Sequence, residues 1–324
     1  QAAVPSCMTR PILTERGRCV PRVCTVRPSG IIAGMNAIPT QQALGARIEG
    51  IDLGQPLTTA SRDQLIEWLG QYGVLHFPDQ DLTARHLRDF SAQFGELEIN
   101  VANAYQEAGL PEVMTLSNMV VDGKPIGLSD AGQDWHTDMS YSRMIAFTNV
   151  LYALKVPVRD GVALGATEFS NMHAAYEGLP EELKSRLEGM TAIHDFNKFW
   201  EKMRQQPGSR RGPLTPEQRV ARPPVSQPLF MVHPITGRKV LYCNPGYAIR
   251  IEQMDPADSD AMLEFLFAHQ LQPHYRYAFS WTPRTVLMWD NMGTIHNAIA
   301  DYRPDEHRLI KRCQVAATRF FAAA

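Results

Sequence analysis

Charge of one dominant sign is the first thing this sequence lacks. Lys and Arg number 32 against 34 Asp and Glu, a formal net charge of -2 over 324 residues. That balance gives no sign of a nucleic-acid surface or of a polybasic patch for membranes. Long apolar runs are missing too: none approaches the roughly 18 residues needed to cross a bilayer. Cysteine is scarce, and its five positions show neither zinc-site spacing nor a disulfide framework. Cys243 and Cys313 fall in apolar, strand-like segments and read as buried free thiols. There is no internal repeat and no convincing linker, so one domain is expected. What remains, 44% hydrophobic and 20% charged, is a globular composition, and a cytoplasmic location is the expectation.

Residues 1–34 do not match the rest. Arg10, Arg16, Arg18, Arg22 and Arg27 face the single acid Glu15, with Pro5, Pro11, Pro21 and Pro28 interspersed. The apolar core of a secretory signal is missing, and four prolines work against an amphipathic helix. This segment reads as a disordered extension, with the folded domain running from 35 to 324.

Within that domain, Gly45 to Pro56 reads as a short strand with a Gly/Pro stop. Ser61 reads as the N-cap of an amphipathic helix, and residues 73–78 as an apolar strand. Thr83 caps a second helix carrying Leu87, Phe90 and Phe94 at helical spacing and ending at Gly95. Ile145 to Val156 is a buried strand by its β-branched and aromatic content. A helical pair follows over 170–187, and strands are expected at 229–233, 239–243 and 247–251. Pro256 to Leu271 reads as a helix, and further strands are expected at 274–281, 285–289 and 307–318. Residues 197–228, with five arginines and six prolines, read as a long, mostly irregular insert, a pattern typical of lids and pocket walls. Many short strands separated by turns predict a mainly β fold with peripheral helices (α+β), a sandwich or jelly roll.

The chemistry gathers around Trp135-His136-Thr137-Asp138. The surrounding stretch, Gln133 to Tyr141, is compatible with a strand, where period two sets His136 and Asp138 on one face. A lone His-x-Asp pair says little; its weight comes from His296, which follows an apolar strand and a turn. Two histidines and one carboxylate make the facial triad of non-haem Fe(II) oxygenases, which leaves three cis positions open on the metal. Such an oxygenase needs a keto acid held by its distal carboxylate, and the planar fork of an arginine suits that carboxylate. Arg308 lies twelve residues after His296, and Arg312, four further on, faces the same way along a strand.

With these residues in view, the chain resembles the taurine dioxygenase / dichlorophenoxyacetate dioxygenase family of Fe(II)/2-oxoglutarate-dependent oxygenases over about residues 40–318. The resemblance rests on Trp135 to Asp138, on Gly165-Ala166-Thr167-Glu168-Phe169-Ser170-Asn171-Met172 with Ala174-Ala175-Tyr176, on His233-Pro234-Ile235-Thr236-Gly237-Arg238, and on Trp289-Asp290-Asn291 leading to His296 and the two arginines. It implies a double-stranded β-helix, a form of jelly roll. By the same resemblance His136, Asp138 and His296 are ligands of Fe(II). Thr167 and Arg308 bind the C5 carboxylate of 2-oxoglutarate, and Arg312 lies near the substrate anion. Trp289 and Asn291 read as structural support. One departure is the gap from Asp138 to Thr167, a few residues longer than usual.

The implied reaction consumes 2-oxoglutarate and O2, hydroxylates a small organic substrate and releases succinate and CO2. Where the hydroxylated carbon bears a heteroatom, a C–O or C–S bond then breaks. In taurine-specific members a histidine pair follows the segment that here reads Phe94 to Asn100. This chain has Glu98 and Asn100 there, and Gly132 where an amine-contacting asparagine is expected, which argues against taurine. Arg312 favours an anionic substrate: an aryloxyalkanoate, a sulfonate or a sulfate ester. Leu241 to Asn244, the insert, Tyr105, Met119 and Phe199 are candidates for the pocket wall. Relatives assemble as dimers or tetramers, so a homodimer or homotetramer is expected by analogy alone. The rival reading is a catalytically silent jelly roll that binds a small molecule. Halogenation is opposed by Asp138, since halogenases of this type replace the carboxylate with a small residue.

Overall fold

Alternation along the apolar strands decides how this chain layers. In the computed structural model, which describes residues 34–99, 105–206 and 211–321, the first elements are strands β1 (Asn36–Pro39) and β2 (Ala46–Glu49), helix α1 (Thr59–Tyr72), strand β3 (Val74–Phe77) and helix α2 (Ala84–Ala92). Strands β4 (Leu110–Ser117), β5 (Ala146–Lys155) and β6 (Thr167–Asn171) follow, then helices α3 (Met172–Glu177) and α4 (Glu181–Leu187). Strand β7 (Thr191–His194), helices α5 (Phe196–Arg204) and α6 (Pro216–Val220) and strands β8 (Val225–Pro228), β9 (Phe230–Val232), β10 (Lys239–Leu241) and β11 (Ala248–Ile251) come next. Helix α7 (Pro256–Gln270) precedes β12 (Arg276–Phe279), β13 (Val286–Asp290), β14 (Thr294–Ala298) and β15 (Leu309–Ala316). Residues 32–324 make one compact unit. The expected extension, Cys7, Cys19, Cys24 and Asn100 lie outside the described residues.

The major sheet runs β1-β2-β3-β13-β5-β15-β4, with the two-residue strand Gln106–Glu107 at its far edge. Its central strands are buried on both faces and send alternate side chains to two cores. From β5, Leu151 goes one way and Val150 and Tyr152 the other; from β13, Leu287 and Trp289 go one way and Val286 and Met288 the other. The first core also holds Phe169, Tyr277 and Phe279 of the small sheet β12-β6-β14, so it fills the space between two facing sheets. The second lies under α1 and α2, through Leu65, Leu69, Leu87 and Phe90. Ile310 of β15 belongs to the inter-sheet core, so by period two Arg308, Arg312 and Gln314 face inward with it.

Three local readings change. Helix α1 is capped by Thr58, whose hydroxyl accepts from the Ser61 amide at 3.1 Å. Thr58, Thr59 and Ser61 are all capping types, and the extended backbone of Thr58 selects among them. Helix α2 begins at the expected Thr83 cap but ends at Ala92. Gly95 instead lies where an added Cβ would meet the Ala316 carbonyl and Val315 at 3.0 Å. Residues 197–228 are less irregular than expected. Asp195 caps α5 through the Asn197 amide, and Thr215 with Gln218 forms a capping box that starts α6 at Pro216. Cys243 and Cys313 are free and buried, as expected, and burial pushes both thiols up to about 12. No helix of the described residues is long and apolar enough to cross a membrane.

Candidate active site

The strand expected over 133–141 is a single antiparallel bridge between His136 and His296, whose backbones exchange hydrogen bonds at 3.0 and 2.9 Å. On either side of His136 the backbone turns left-handed, at Asp134 (φ 76°) and Met139 (φ 58°). A non-glycine residue rarely holds that conformation, and these turns bracket a single bridge in place of a continuous strand. Asn291 holds the turn from below, donating to the Asp138 carbonyl at 2.8 Å and to the Ala146 carbonyl at 3.2 Å. Asn244 donates to Ser140 Oγ at 3.0 Å, and Gln227 to the Ser140 carbonyl at 3.1 Å. Gly246 is obligatory at closest approach: a Cβ there would lie 2.7 Å from His136 Cβ.

His136 Nε2 is 3.5 Å from Asp138 Oδ1, and His296 Nε2 is 3.6 Å from Asp138 Oδ2. All three side chains are buried. His136 Nδ1 contacts the Asp134 carbonyl at 2.8 Å, which makes Nδ1 the donor and leaves the Nε2 lone pair facing the carboxylate. Asp138 Oδ2 has no hydrogen-bond partner among the described residues. Two lone pairs and a carboxylate repel unless a cation lies between them. The spacing is slightly wider than the ~3 Å edge of an octahedron with ~2.1 Å bonds. Burial opposes the Asp138 anion, but the Arg312 guanidinium beside it holds its carboxyl well below the usual range. Burial, then His136, hold His296 well below its ordinary value, so its imidazole is neutral and ready to ligate.

A second trio, His173, His233 and Asp290, is also buried with its ligand atoms within 4.8 Å of one another. Its hydrogen bonds are different. His233 Nδ1 accepts from the amides of Ile235 and Thr236 at 3.4 and 3.3 Å, so the proton sits on Nε2, 2.9 Å from Asp290 Oδ2. A protonated Nε2 has no lone pair for a metal. Like Asp138 Oδ2, the facing atoms His173 Nε2, His233 Nε2 and Asp290 Oδ2 have no hydrogen-bond partner among the described residues, so what separates the two trios is the His233 tautomer and the Arg312 guanidinium beside Asp138.

The small sheet builds the other half of the site. Thr167 of β6 pairs with Ala298, and Phe169 with His296, so the Thr167 hydroxyl and the His296 imidazole share a face. Thr167 Oγ1 accepts from Trp281 Nε1 at 3.0 Å. Arg308 is 7% exposed, yet no carboxylate of the described residues lies within 4 Å of its guanidinium; its side chain bonds Tyr302, and burial lowers its pKa. Its stem runs beneath Gly165, where a Cβ would meet Arg308 Cδ and Nε at 3.3 Å. Arg312 Nη2 lies 3.9 Å from Asp138 Oδ2.

A cavity of about 300 Å³ opens beside this centre, lined among others by Glu98, Met139, Tyr141, Arg143, Arg222 and Gln314. The insert forms much of its rim. Arg222 lies 5.1 Å over the Phe196 ring and 6.0 Å over Tyr141, and Arg211 pairs with both oxygens of Asp130. Of the suggested wall residues, Tyr105, Met119, Phe199 and Leu241 to Asn244 are not among those lining this cavity; Phe199 instead packs against the His136 ring at 5.0 Å, tilted by 38°. Asn291 serves as the support expected of it, and Asn244 and Arg222 fall in segments singled out as pocket wall; Trp281 and Gln227 carried no local signal in the sequence.

The sequence matches the family described as taurine catabolism dioxygenase TauD, TfdA family, over residues 36–314. It is 30% identical over 281 residues to a pentalenolactone F synthase of Streptomyces avermitilis, covering 83% of this chain and 90% of that protein. Identity is 31% over 271 residues to an alpha-ketoglutarate-dependent 2,4-dichlorophenoxyacetate dioxygenase of Cupriavidus pinatubonensis, covering 80% and 90%. Among solved structures, AAD-2 in complex with Mn(II) and N-oxalylglycine superposes with a TM-score of 0.71 at 27% identity, over 87% of this chain and 97% of that one. The two facing sheets are thus those of a TauD-like jelly roll. The chain belongs to the TauD/TfdA family and is an α-ketoglutarate-dependent dioxygenase.

Proposed function

We propose that residues 35–324 form one catalytic domain that hydroxylates a small anionic organic molecule, with His136, Asp138 and His296 holding Fe(II). The observation that carries this reading is the buried cluster in which His136 Nε2 lies 3.5 Å from Asp138 Oδ1 and His296 Nε2 3.6 Å from Asp138 Oδ2, an oxygen without a hydrogen-bond partner among the described residues. Bound there, iron supplies O2 activation coupled to decarboxylation of 2-oxoglutarate to succinate and CO2. With three protein ligands, iron held there would keep positions open for co-substrate and O2. Arg308 and Thr167 take the C5 carboxylate of 2-oxoglutarate. A buried guanidinium without a carboxylate partner is an anion site waiting for its anion. Arg312 steadies Asp138 in its ionised form and turns its remaining donors toward the substrate anion. Phe199 and Tyr247, packed on His136, exclude water from that side.

The cavity supports an anionic substrate, because Arg143 and Arg222 line it with Glu98 as the one carboxylate. The chemistry named for one relative, oxidation of 2,4-dichlorophenoxyacetate, makes aryloxyalkanoates the first class to try, before sulfonates and sulfate esters. Succinate release from Fe(II)-loaded protein, with each class and with an Asp138→Ala control, tests the reading. Succinate stimulated by one class and abolished in the control is expected. No turnover with any class, together with no calorimetric binding of Fe(II) or 2-oxoglutarate, refutes it and leaves a binding jelly roll.

A further inference from the structure

Trp281 is 1% exposed and directs its indole N–H at Thr167 Oγ1, 3.0 Å away. Register explains the meeting. Thr167 pairs with Phe279 across β6 and β12, and Trp281 lies two residues beyond Phe279, on the same side. The Phe279 ring meets the indole nearly edge-on, at 5.1 Å and 86°, and fixes its plane.

An indole N–H can only donate, whereas a threonine hydroxyl has one proton and two lone pairs. Trp281 therefore occupies a lone pair of Thr167, and the hydroxyl proton is left to serve another group. Thr167 Oγ1 makes no second hydrogen bond among the described residues. The Thr167 side chain is on the sheet face that carries His296 as well as Trp281.

We propose that Trp281 is a positioning residue for 2-oxoglutarate. Its N–H fixes the rotamer of the Thr167 hydroxyl so that the proton points at the C5 carboxylate, and it polarises the O–H as donor, strengthening that bond by about 10–30%. The inference rests on the reading of Thr167 as a co-substrate ligand. Without Trp281 the hydroxyl is free to turn toward the core, and co-substrate binding must restrain it. No bond is made or broken in this role, and Trp281 does not touch the reacting atoms.

The test is a double-mutant cycle on the dissociation constant of 2-oxoglutarate, measured by calorimetry on anaerobic Mn(II)-loaded protein. Thr167→Val, which removes a hydrogen bond to a charged group, is expected to weaken binding about tenfold or more. Trp281→Phe is expected to weaken it about three- to tenfold in the wild-type background and less than about twofold in the Thr167→Val background. Thr167→Ser, which keeps a hydroxyl, restores the sensitivity to Trp281→Phe. Equal weakening in both backgrounds would mean that Trp281 acts through packing, and overturns the proposal, as does no effect of Trp281→Phe on the wild-type protein. No effect of Thr167→Val defeats the reading of Thr167 itself, and the proposal with it. A readout that needs no tryptophan variant is the indole N–H resonances of Zn(II)-loaded protein. One of them, Trp281, is expected to shift on adding 2-oxoglutarate and to stay still in Thr167→Val; identical shifts in both proteins overturn the proposal.

Discussion

Arg308→Met separates an anion-binding arginine from a structural one, because the two roles predict opposite signs. In the free protein Arg308 is 7% exposed, with Tyr302 as partner and no carboxylate within 4 Å among the described residues. A buried cation without a counter-ion is held at a desolvation cost. Methionine keeps much of the stem that packs beneath Gly165 and removes the charge. Stability without ligand is therefore expected to be unchanged, or raised by about 1 kcal/mol. On the proposed reading the same change removes a charge-assisted pair with the co-substrate, a loss of about 2–5 kcal/mol, or roughly 30- to 5,000-fold in affinity. At 2-oxoglutarate equal to about 100 times Kd, wild type gains about 2.7 kcal/mol of stability. A variant with about 1,000-fold weaker binding gains under about 0.1 kcal/mol under the same conditions. In a domain of this size the wild-type gain corresponds to a Tm rise of about 5 °C. Thermal unfolding of Mn(II)-loaded protein with and without 2-oxoglutarate measures both quantities. A variant that unfolds several kcal/mol more easily without ligand, yet keeps its ligand shift, would refute the assignment.

Gly246→Ala would push a methyl group to 2.7 Å from His136 Cβ, so Fe(II) affinity is expected to fall about 10–100-fold, as read by anaerobic metal titration; unchanged affinity contradicts the close approach. Asn291→Ala leaves the Asp138 and Ala146 carbonyls without a donor, which predicts a loss of about 2–3 kcal/mol in urea unfolding together with weaker metal binding. Burial holds His76 and His173 down at about 4 and His194 at about 3, each below the unfolded value of 6.5. The unfolded chain therefore binds protons first. Stability is fully present above about pH 6.5 and is lost as pH falls toward 4, with a slope of at most about 1.4 kcal/mol per pH unit from each histidine. Unfolding of metal-free protein across that window should show the decline, and a flat profile between pH 7 and 5 would count against it.

What the sequence determined by itself was local or carried by residue identity. Continuous apolar runs located the strands expected at 73–78, 145–156 and 285–289 and found at 74–77, 146–155 and 286–290, because a strand between two layers must be apolar on both faces. Thr83 marked its helix because an N-cap needs only its own turn. The two histidines, the aspartate and the two arginines were legible because few other side chains can ligate iron or pair with a carboxylate. The structure alone decided where backbone and register carry the result. A single bridge flanked by left-handed residues at Asp134 and Met139, rather than a regular strand, carries His136 and Asp138. The bridge that joins His136 to His296 spans 160 residues of chain, and no local pattern marks it. Asn291 under the turn, Gly246 against His136 and Arg222 over Tyr141 likewise come from distant segments. Nothing local marks Trp281; the pairing of Thr167 with Phe279 brings its single polar atom to the Thr167 hydroxyl. Local chemistry chose the functional groups, and long-range strand register set the distances between them.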